Sequence, residues 1–487
     1  MASQTRKITL DAAALFFGKV VGLMLGMVRL NYLATYLGVA NFGILNFALY
    51  FCSLFQVLFD FGISQFLTRD LARDLERSRE FVGKAILLKV IIVFAAGLLV
   101  GLFGIFSRFD ATTNWAILLT TVVFAINGLS MVFLSAFQAH RKMVIVSISN
   151  ILNDLLLSAF IIIILSQYPF VMTVLLLSII VALLNLGILF AVYVREIGFP
   201  RFQIDMSLWK EFLKESLPIA VSSLGISMYT FIGVTVLKYT RGDIEVGIYS
   251  AGYKLISILT LIPITFSQIV YPIFSEFYAN AGEKLSKALS DSLRVMLILI
   301  IPIALGTVIL APKIFSLLFP PEFLPGVVVL QIIILGNVFG FMDWIIYTFL
   351  IAINRQSFSM ITSVVVGLST FLISILVIPS IGYTALPFIQ VVVEVSLFII
   401  QCWYLAKIGF RLISIKHFIK PLIASLLMIA VVILMRQFNI LLLIIIGILV
   451  YSCIMYLIRG FGEQEKEMIR AIFIKIGNTK STKKYNL

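Results

Sequence analysis

Apolar residues run along this chain in long blocks, broken by short polar or basic clusters, and the blocks do not alternate in polarity. A membrane-crossing helix needs about 20 such residues, whereas barrel strands would alternate from one residue to the next. The pattern reads as fourteen spans at about 10–36, 42–67, 81–106, 114–138, 143–166, 170–194, 216–238, 246–274, 291–318, 326–352, 358–378, 383–406, 418–436 and 439–458. No connection between them is long enough for a soluble domain. The expected fold class is therefore an all-α polytopic membrane protein.

Two further stretches have a different period. Leu208, Trp209, Phe212 and Leu213 are interleaved with Lys210, Glu211 and Lys214. In the tail, Ile469, Ile472, Phe473 and Ile476 follow the i, i+3, i+4, i+7 spacing of one helix face. Both read as amphipathic helices lying along the membrane surface. The first divides the chain after six spans.

The six spans on either side of it look related. An offset of 204 brings Gly43 onto Gly247, Ile44 onto Ile248 and Ser53 onto Ser257, and pairs Asn46 with Ser250 and Tyr50 with Lys254. Both sites are a short turn leading into the second helix of a six-helix block. Six is even, so the blocks enter the membrane the same way round, as a parallel repeat. The expected organisation is a six-helix lobe over 1–196, an amphipathic cytoplasmic linker over 197–215, a second six-helix lobe over 216–408, helices 13 and 14 over 409–459, and a basic tail over 460–487.

Composition agrees with a membrane protein: 61% of residues are hydrophobic and 12% charged, with a mean hydropathy of +1.11. The net charge of +14 would suit nucleic acid in a soluble protein. Here its distribution explains it. With the N-terminus inside, 27 of the 37 lysines and arginines fall in inner loops and termini, and three (Arg108, Arg241, Arg436) fall outside. That bias places both termini in the cytoplasm. Asp11 and the lack of a small-residue cleavage site argue against a removed signal peptide. Cys52, Cys402 and Cys453 lie in apolar helices without metal-ligand or disulfide spacing.

The informative residues are charges inside spans. A cation there costs roughly 2.5–3.5 kcal/mol on insertion scales, so it faces water, a partner or a ligand. The first span holds Lys19 and Arg29 beside Gly18, Gly22 and Gly26, whose spacing of four puts them on one face for close helix packing. Lys19 paired with a buried acid and Arg29 reaching to the interface are the plain alternatives. Lys254 lies about two turns inside the eighth span. Together Lys19, Arg29 and Lys254 suit a phosphate or pyrophosphate. Asp60, Asp154, Asp343 and Glu394 also lie within spans; they either neutralise these cations or carry protons or sodium. Pro218, Pro263, Pro272, Pro302 and Pro312 mark kinks in spans 7 to 9.

The run GKVVGLMLGMVRLNYLATYLGVANFGILNFALYFCSLFQVLFDFGISQFLTRDLAR (18–73) resembles the opening of Wzx-type polysaccharide exporters, the O-antigen and capsule flippases of the multidrug/oligosaccharidyl-lipid/polysaccharide exporter superfamily. EVGIYSAGYKLISILTLIPITFSQIVYPIFSEF (245–277) resembles their eighth helix. The resemblance implies two six-helix lobes, alternating access, and passage of an undecaprenyl-pyrophosphate-linked oligosaccharide across a bacterial or archaeal cytoplasmic membrane. It implies partners among polysaccharide-assembly proteins, and no cofactor. Relatives often carry arginine where this chain has Lys19; lysine keeps the charge and loses the bidentate fork. Lys254 matches a cation that relatives carry early in helix 8.

Two nearby readings stay open: a multidrug or cation antiporter of the same fold, and a lipid II flippase. An antiporter would want a site dominated by acids and aromatics. A membrane glycan polymerase, ligase or glycosyltransferase is disfavoured, because the outer loops are short and His140 and His417 sit among cytoplasmic basic residues. The sequence shows no nucleophile constellation, metal-ligand cluster or phosphate-binding glycine loop, so no catalytic residue is expected.

Overall fold

A computed structural model describes residues 2–107, 109–280, 282–410 and 416–460, with side chains from Gly18 onward apart from a few positions. The secondary structure there is helical. In chain order the helices are α1 (Ala2–Leu54), α2 (Gln56–Asp60), α3 (Ile63–Arg73), α4 (Ser78–Phe106), α5 (Ala111–Ala139), α6 (Met143–Ile164), α7 (Val171–Glu196) and α8 (Met206–Arg241). They continue with α9 (Asp243–Leu259), α10 (Leu261–Asn280), α11 (Gly282–Leu318), α12 (Gly326–Ala352), α13 (Gln356–Ile381), α14 (Ala385–Lys407), α15 (Lys416–Leu434) and α16 (Ile440–Leu457). Among the described residues, 11 stretches are long and apolar enough to cross a membrane; two of these, Val21–Leu54 and Gln356–Lys407, each carry two of the expected spans. α8 is a further helix of membrane length. Helices are the natural result, since hydrocarbon offers no partner for an unpaired backbone group.

The interruptions have local causes. α1 carries the first span and the start of the second, bent at Gly38 (φ 68°, ψ 175°). Gly242, between α8 and α9, has φ 84° and ψ −167°. Both fall in a region that only glycine occupies readily, and they are related by the offset of 204. The second span breaks after Asp60, where Phe61 and Gly62 take positive φ. The eighth breaks at Thr260, three residues before Pro263, which cannot donate to the preceding turn.

The chain divides into two compact units. The first comprises residues 1–259, 315–333 and 354–393. Within it α1 and α9 meet at a reciprocal contact. A Cβ on Gly43 would run into the Asp243 carbonyl, and one on Gly247 would run into the Val39 carbonyl. Residues 39 and 243 are themselves 204 apart, so the repeat read from sequence is a local two-fold relation between these two helices. Around it, Lys238 is 7% exposed. It donates to Thr113 Oγ1 at 2.9 Å and pairs with Asp110 at 3.4 Å and with Asp243. Arg241 donates to the Pro379 and Ser380 carbonyls at 2.7 and 2.9 Å. Glu245 accepts from the Tyr383 amide at 2.8 Å. Phe42 packs edge-on against Phe323 at 5.3 Å.

At the other end of this unit the amphipathic stretch forms the first turns of α8. Leu208, Trp209 and Phe212 are buried against α3 and α4. The Phe212 ring lies 4.8 Å from that of Phe66, and Trp209 Nε1 donates to the Lys84 carbonyl at 3.0 Å. The expected surface helix therefore turns its apolar face into the protein, because aromatic residues of α3 and α4 provide a matching face. Asp205 caps α8 through the Ser207 and Leu208 amides at 3.1 Å and pairs with Lys84 at 2.9 Å. The Ser207 hydroxyl, then Lys84 and the Leu208 amide, hold its carboxyl well below the usual range.

The second unit comprises residues 260–314, 334–353 and 394 onward. α15 and α16 pack on α11 through Ile298, Leu310, Met428, Val432, Leu443 and Met455. Tyr451 donates its hydroxyl to the Ile298 carbonyl at 2.7 Å. Phe349 sits between Phe274 at 5.2 Å and Phe410 at 5.0 Å. The amphipathic tail over 469–476 lies outside the described residues.

Candidate functional site

The glycine face of α1 serves three different purposes. A Cβ on Gly18 would touch Ile151 Cδ1 at 3.4 Å and Ser147 Cβ at 3.6 Å, so α6 packs there. Gly22 receives a carboxylate: a Cβ there would stand 2.8 Å from Asp154 Oδ2. Gly26 passes beneath Arg29, whose Nη2 would be 4.0 Å from a Cβ at that position. Helical side chains lean toward the N-terminus, which brings Arg29 back over Gly26 and toward Asp154. The pair closes through a single contact, Arg29 Nη1 to Asp154 Oδ1 at 3.3 Å. Both partners are partly open, at 22% and 32% side-chain exposure. Ser158, one turn beyond Asp154, donates to the Leu25 carbonyl at 3.4 Å.

Lys254 comes to the same place from α9. It is half-buried, and among the described residues no hydrogen bond or ion pair engages its ammonium group. The charge that bears on it is Arg29. Arg29 of α1 and Lys254 of α9 are thus near enough for their charges to interact, and Asp154 pairs with the first of them. Elsewhere on the same two helices, Tyr50 of α1 stacks on Phe231 at 5.6 Å and meets Tyr253 of α9 edge-on at 5.8 Å. Like cations brought together in an apolar setting repel, and a bound anion removes that cost. The side chain of Lys19 lies outside the described residues.

The other acids separate into two kinds. Asp60, at the break in the second span, pairs with Lys89 of α4 and accepts from Ser64. Lys89 is 0% exposed and also donates to the Gly128 carbonyl at 3.1 Å. α5 lies tight against this break, since a Cβ on Gly128 would be 2.9 Å from the Phe59 carbonyl oxygen. The cation of this pair is sealed, while Asp60 keeps 27% side-chain exposure. Asp343, in the second unit, is 6% exposed, and neither carboxylate oxygen has a hydrogen-bond partner among the described residues. Glu394 of α14 stands against α12 one turn earlier, with Oε2 2.8 Å from a Cβ built on Gly340. Among the described residues no group of three or more His, Cys, Asp or Glu side chains is placed to hold a metal ion.

Sequence reasoning named Arg29, Lys254 and all four acids. It did not single out Lys89 or Lys238. The available signal was a burial argument: a lysine well inside an apolar run needs an acid partner, and Asp60 and Asp243 were the candidates.

Comparison with known proteins fits this architecture. The family described as "Polysaccharide biosynthesis protein" matches residues 8–278, more than half of the chain. The chain belongs to that family. The MatE family matches residues 218–379. Among solved structures it is similar to "Lipid II flippase MurJ, inward closed conformation", at 18% identity and a TM-score of 0.76, covering 92% of this chain and 98% of that one. It is also similar to an inward-facing multidrug-resistance MATE transporter of the MOP superfamily (12% identity, TM-score 0.65, 80% of this chain and 95% of that one). A MOP superfamily transporter from Pyrococcus furiosus is similar at 13% identity and a TM-score of 0.59, over 82% of this chain and 95% of that one. No curated protein matches the chain in sequence. At these identities the structural likenesses establish the fold, that of the MOP transporters.

Proposed function

We propose that this protein flips a lipid-linked oligosaccharide, carried on polyprenyl diphosphate, across the cytoplasmic membrane for surface-polysaccharide assembly. The observation that carries the reading is that α1 and α9, which pack together, bring Arg29 and Lys254 within range of each other's charge, with Lys254 unengaged by any described residue. A diphosphate supplies the missing negative charge, and guanidinium and ammonium groups bind phosphate oxygens strongly once desolvated. Lys19, ten residues before Arg29 on α1, is proposed as a third cation of this site. The excess of lysine and arginine in alternate loops supports cytoplasmic termini, which puts the α1–α9 contact toward the outside. O-antigen, capsule and other repeat units share the diphosphate, so the sugar is left to the remainder of the site. Asp343, a buried carboxyl without a hydrogen-bond partner among the described residues, is the proposed coupling group for a proton or sodium ion, with Glu394 beside it.

The test is a leaflet-accessibility assay in liposomes containing a labelled polyprenyl-diphosphate oligosaccharide and an impermeant sugar-cleaving reagent outside. The expected result is protein-dependent exposure of the inner-leaflet pool, abolished by Lys254→Ala and by Arg29→Ala while membrane levels stay normal. A protected pool, together with gradient-driven efflux of a small cationic dye, would replace the flippase with an antiporter.

A further inference from the structure

Resting on that reading of the Arg29–Lys254 site, we infer that Asp154 is the resting counter-ion of Arg29: an internal stand-in for substrate phosphate that yields the guanidinium when the diphosphate arrives. Three observations lead there. The first is the geometry of the pair. A guanidinium and a carboxylate built to hold one another form two parallel bonds of about 2.7–2.9 Å. Arg29 and Asp154 share one contact at 3.3 Å. Among the described residues no acceptor takes the remaining guanidinium donors.

The second is the seat of the carboxylate. Asp154 Oδ2 rests over Gly22, where any Cβ would come within 2.8 Å. The notch makes room for an acid on α6 at this height of α1. It also gives Asp154 a place to remain once Arg29 has turned away. α6 is held to α1 on either side independently of the ion pair, by Ile151 against Gly18 and by the Ser158 hydroxyl on the Leu25 carbonyl. Exchange of the guanidinium between acid and ligand therefore leaves the helix packing in place.

The third is the contrast with the other acid–cation pair of this unit. Lys89 is fully buried and bound by both Asp60 and the Gly128 carbonyl. It has no route to a ligand. Arg29 and Asp154 are both partly open and stand beside an unengaged lysine. A partly exposed ion pair biases its partners by less than about fivefold, since such pairs are worth 0.2–1 kcal/mol in double-mutant cycles. That is weak enough for a doubly charged ligand to displace. By the same factor it lowers the affinity of Arg29 for other anions and for the product. A ligand that must first displace Asp154 binds more weakly by the fraction of time the pair is closed.

The test uses the full chain in nanodiscs and farnesyl diphosphate as probe, titrated calorimetrically. Asp154→Asn keeps the shape and removes the charge; it is expected to tighten binding about two- to fivefold. Arg29→Ala is expected to weaken binding, and Asp154→Asn added to Arg29→Ala to change nothing further. If Asp154→Asn leaves the affinity unchanged or weakens it while Arg29→Ala and Lys254→Ala both weaken it, the counter-ion role is wrong and the diphosphate site stands. Tightening by Asp154→Asn in both backgrounds is a bulk charge effect and also overturns the role. Failure of the unaltered protein to bind the probe removes the site itself, and this inference with it.

Discussion

The reciprocal contact between α1 and α9 makes a prediction whose size follows from the structure. A Cβ on Gly43 would lie 2.9 Å from the Asp243 carbonyl carbon and 3.0 Å from the Gly247 nitrogen. On Gly247 it would lie 3.0 Å from Val39 Cγ1 and 3.1 Å from the Val39 carbonyl carbon. The nearest atoms, closer still, are the carbonyl oxygens of Asp243 and Val39; C···O contacts are about 3.3–3.6 Å, so each substitution asks the helices to separate by roughly 1 Å or more. Backbone cannot swing aside as a side chain does. Overpacking of this kind costs about 1–3 kcal/mol, which corresponds to a shift of about 5- to 150-fold away from the arrangement described here. Gly43→Ala and Gly247→Ala should therefore each favour separation of α1 from α9.

The assay is labelling of a cysteine at Tyr50, two turns from Gly43 on the same helix, by an impermeant maleimide applied outside cells that carry a variant lacking Cys52, Cys402 and Cys453. Faster labelling by at least about fivefold is expected for either glycine substitution. The double variant should show less than the product of the two effects, because both relieve one contact. Two-fold symmetry makes the test strict. A large effect of Gly43→Ala with none from Gly247→Ala would refute the reasoning, as would unchanged labelling in both.

Two further predictions rest on single groups. Lys89→Met leaves Asp60, 27% exposed, without its partner and should lower stability by less than the about 3–5 kcal/mol of a fully buried orphan charge, whereas adding Asp60→Asn should recover much of the loss; thermal unfolding in detergent measures both. His140, at the end of α5, sits with Nε2 2.8 Å from Ser78 Oγ, and the Ser78 hydroxyl donates to the Leu75 carbonyl at 2.6 Å, so Nε2–H donates to the serine oxygen. Burial, then the Lys142 charge, pushes its pKa below the ordinary value, so the folded protein resists a proton that the unfolded chain accepts. This contribution is intact above about pH 6.5 and is lost as the pH falls through and below that value; the melting temperature of the unaltered protein should drop more between pH 7.5 and 5.5 than that of His140→Gln.

What was legible in the sequence, and what was not, divides along physical lines. Span number and class follow from the unbroken apolar blocks, because a bilayer leaves so few choices for the backbone. The repeat was legible from a handful of matches at an offset of 204, and the structure gives those matches a reason. Gly38 and Gly242 adopt a backbone that only glycine takes easily, and Gly43 and Gly247 leave room for each other's helix. Identity at such positions is backbone information, which a sequence records directly. The partners of the charged residues are another matter. Arg29 and Asp154 are 125 positions apart, as are Lys238 and Thr113. Which acid meets which cation depends on helix rotations that periodicity does not set. The amphipathic stretch before the seventh span shows the same limit from the apolar side: its face was legible, but whether lipid or the aromatic side chains of α3 and α4 cover it was decided by tertiary contacts. Once helix packing is known, the in-span charges sort by closure. Asp60 with Lys89 and Asp243 with Lys238 are pairs whose cations are sealed in; Arg29, Asp154 and Lys254 stay partly open. A cation left accessible within a span faces water, a partner or a ligand, and the openness of Arg29 and Lys254, more than their charge, is the reason to propose the substrate there.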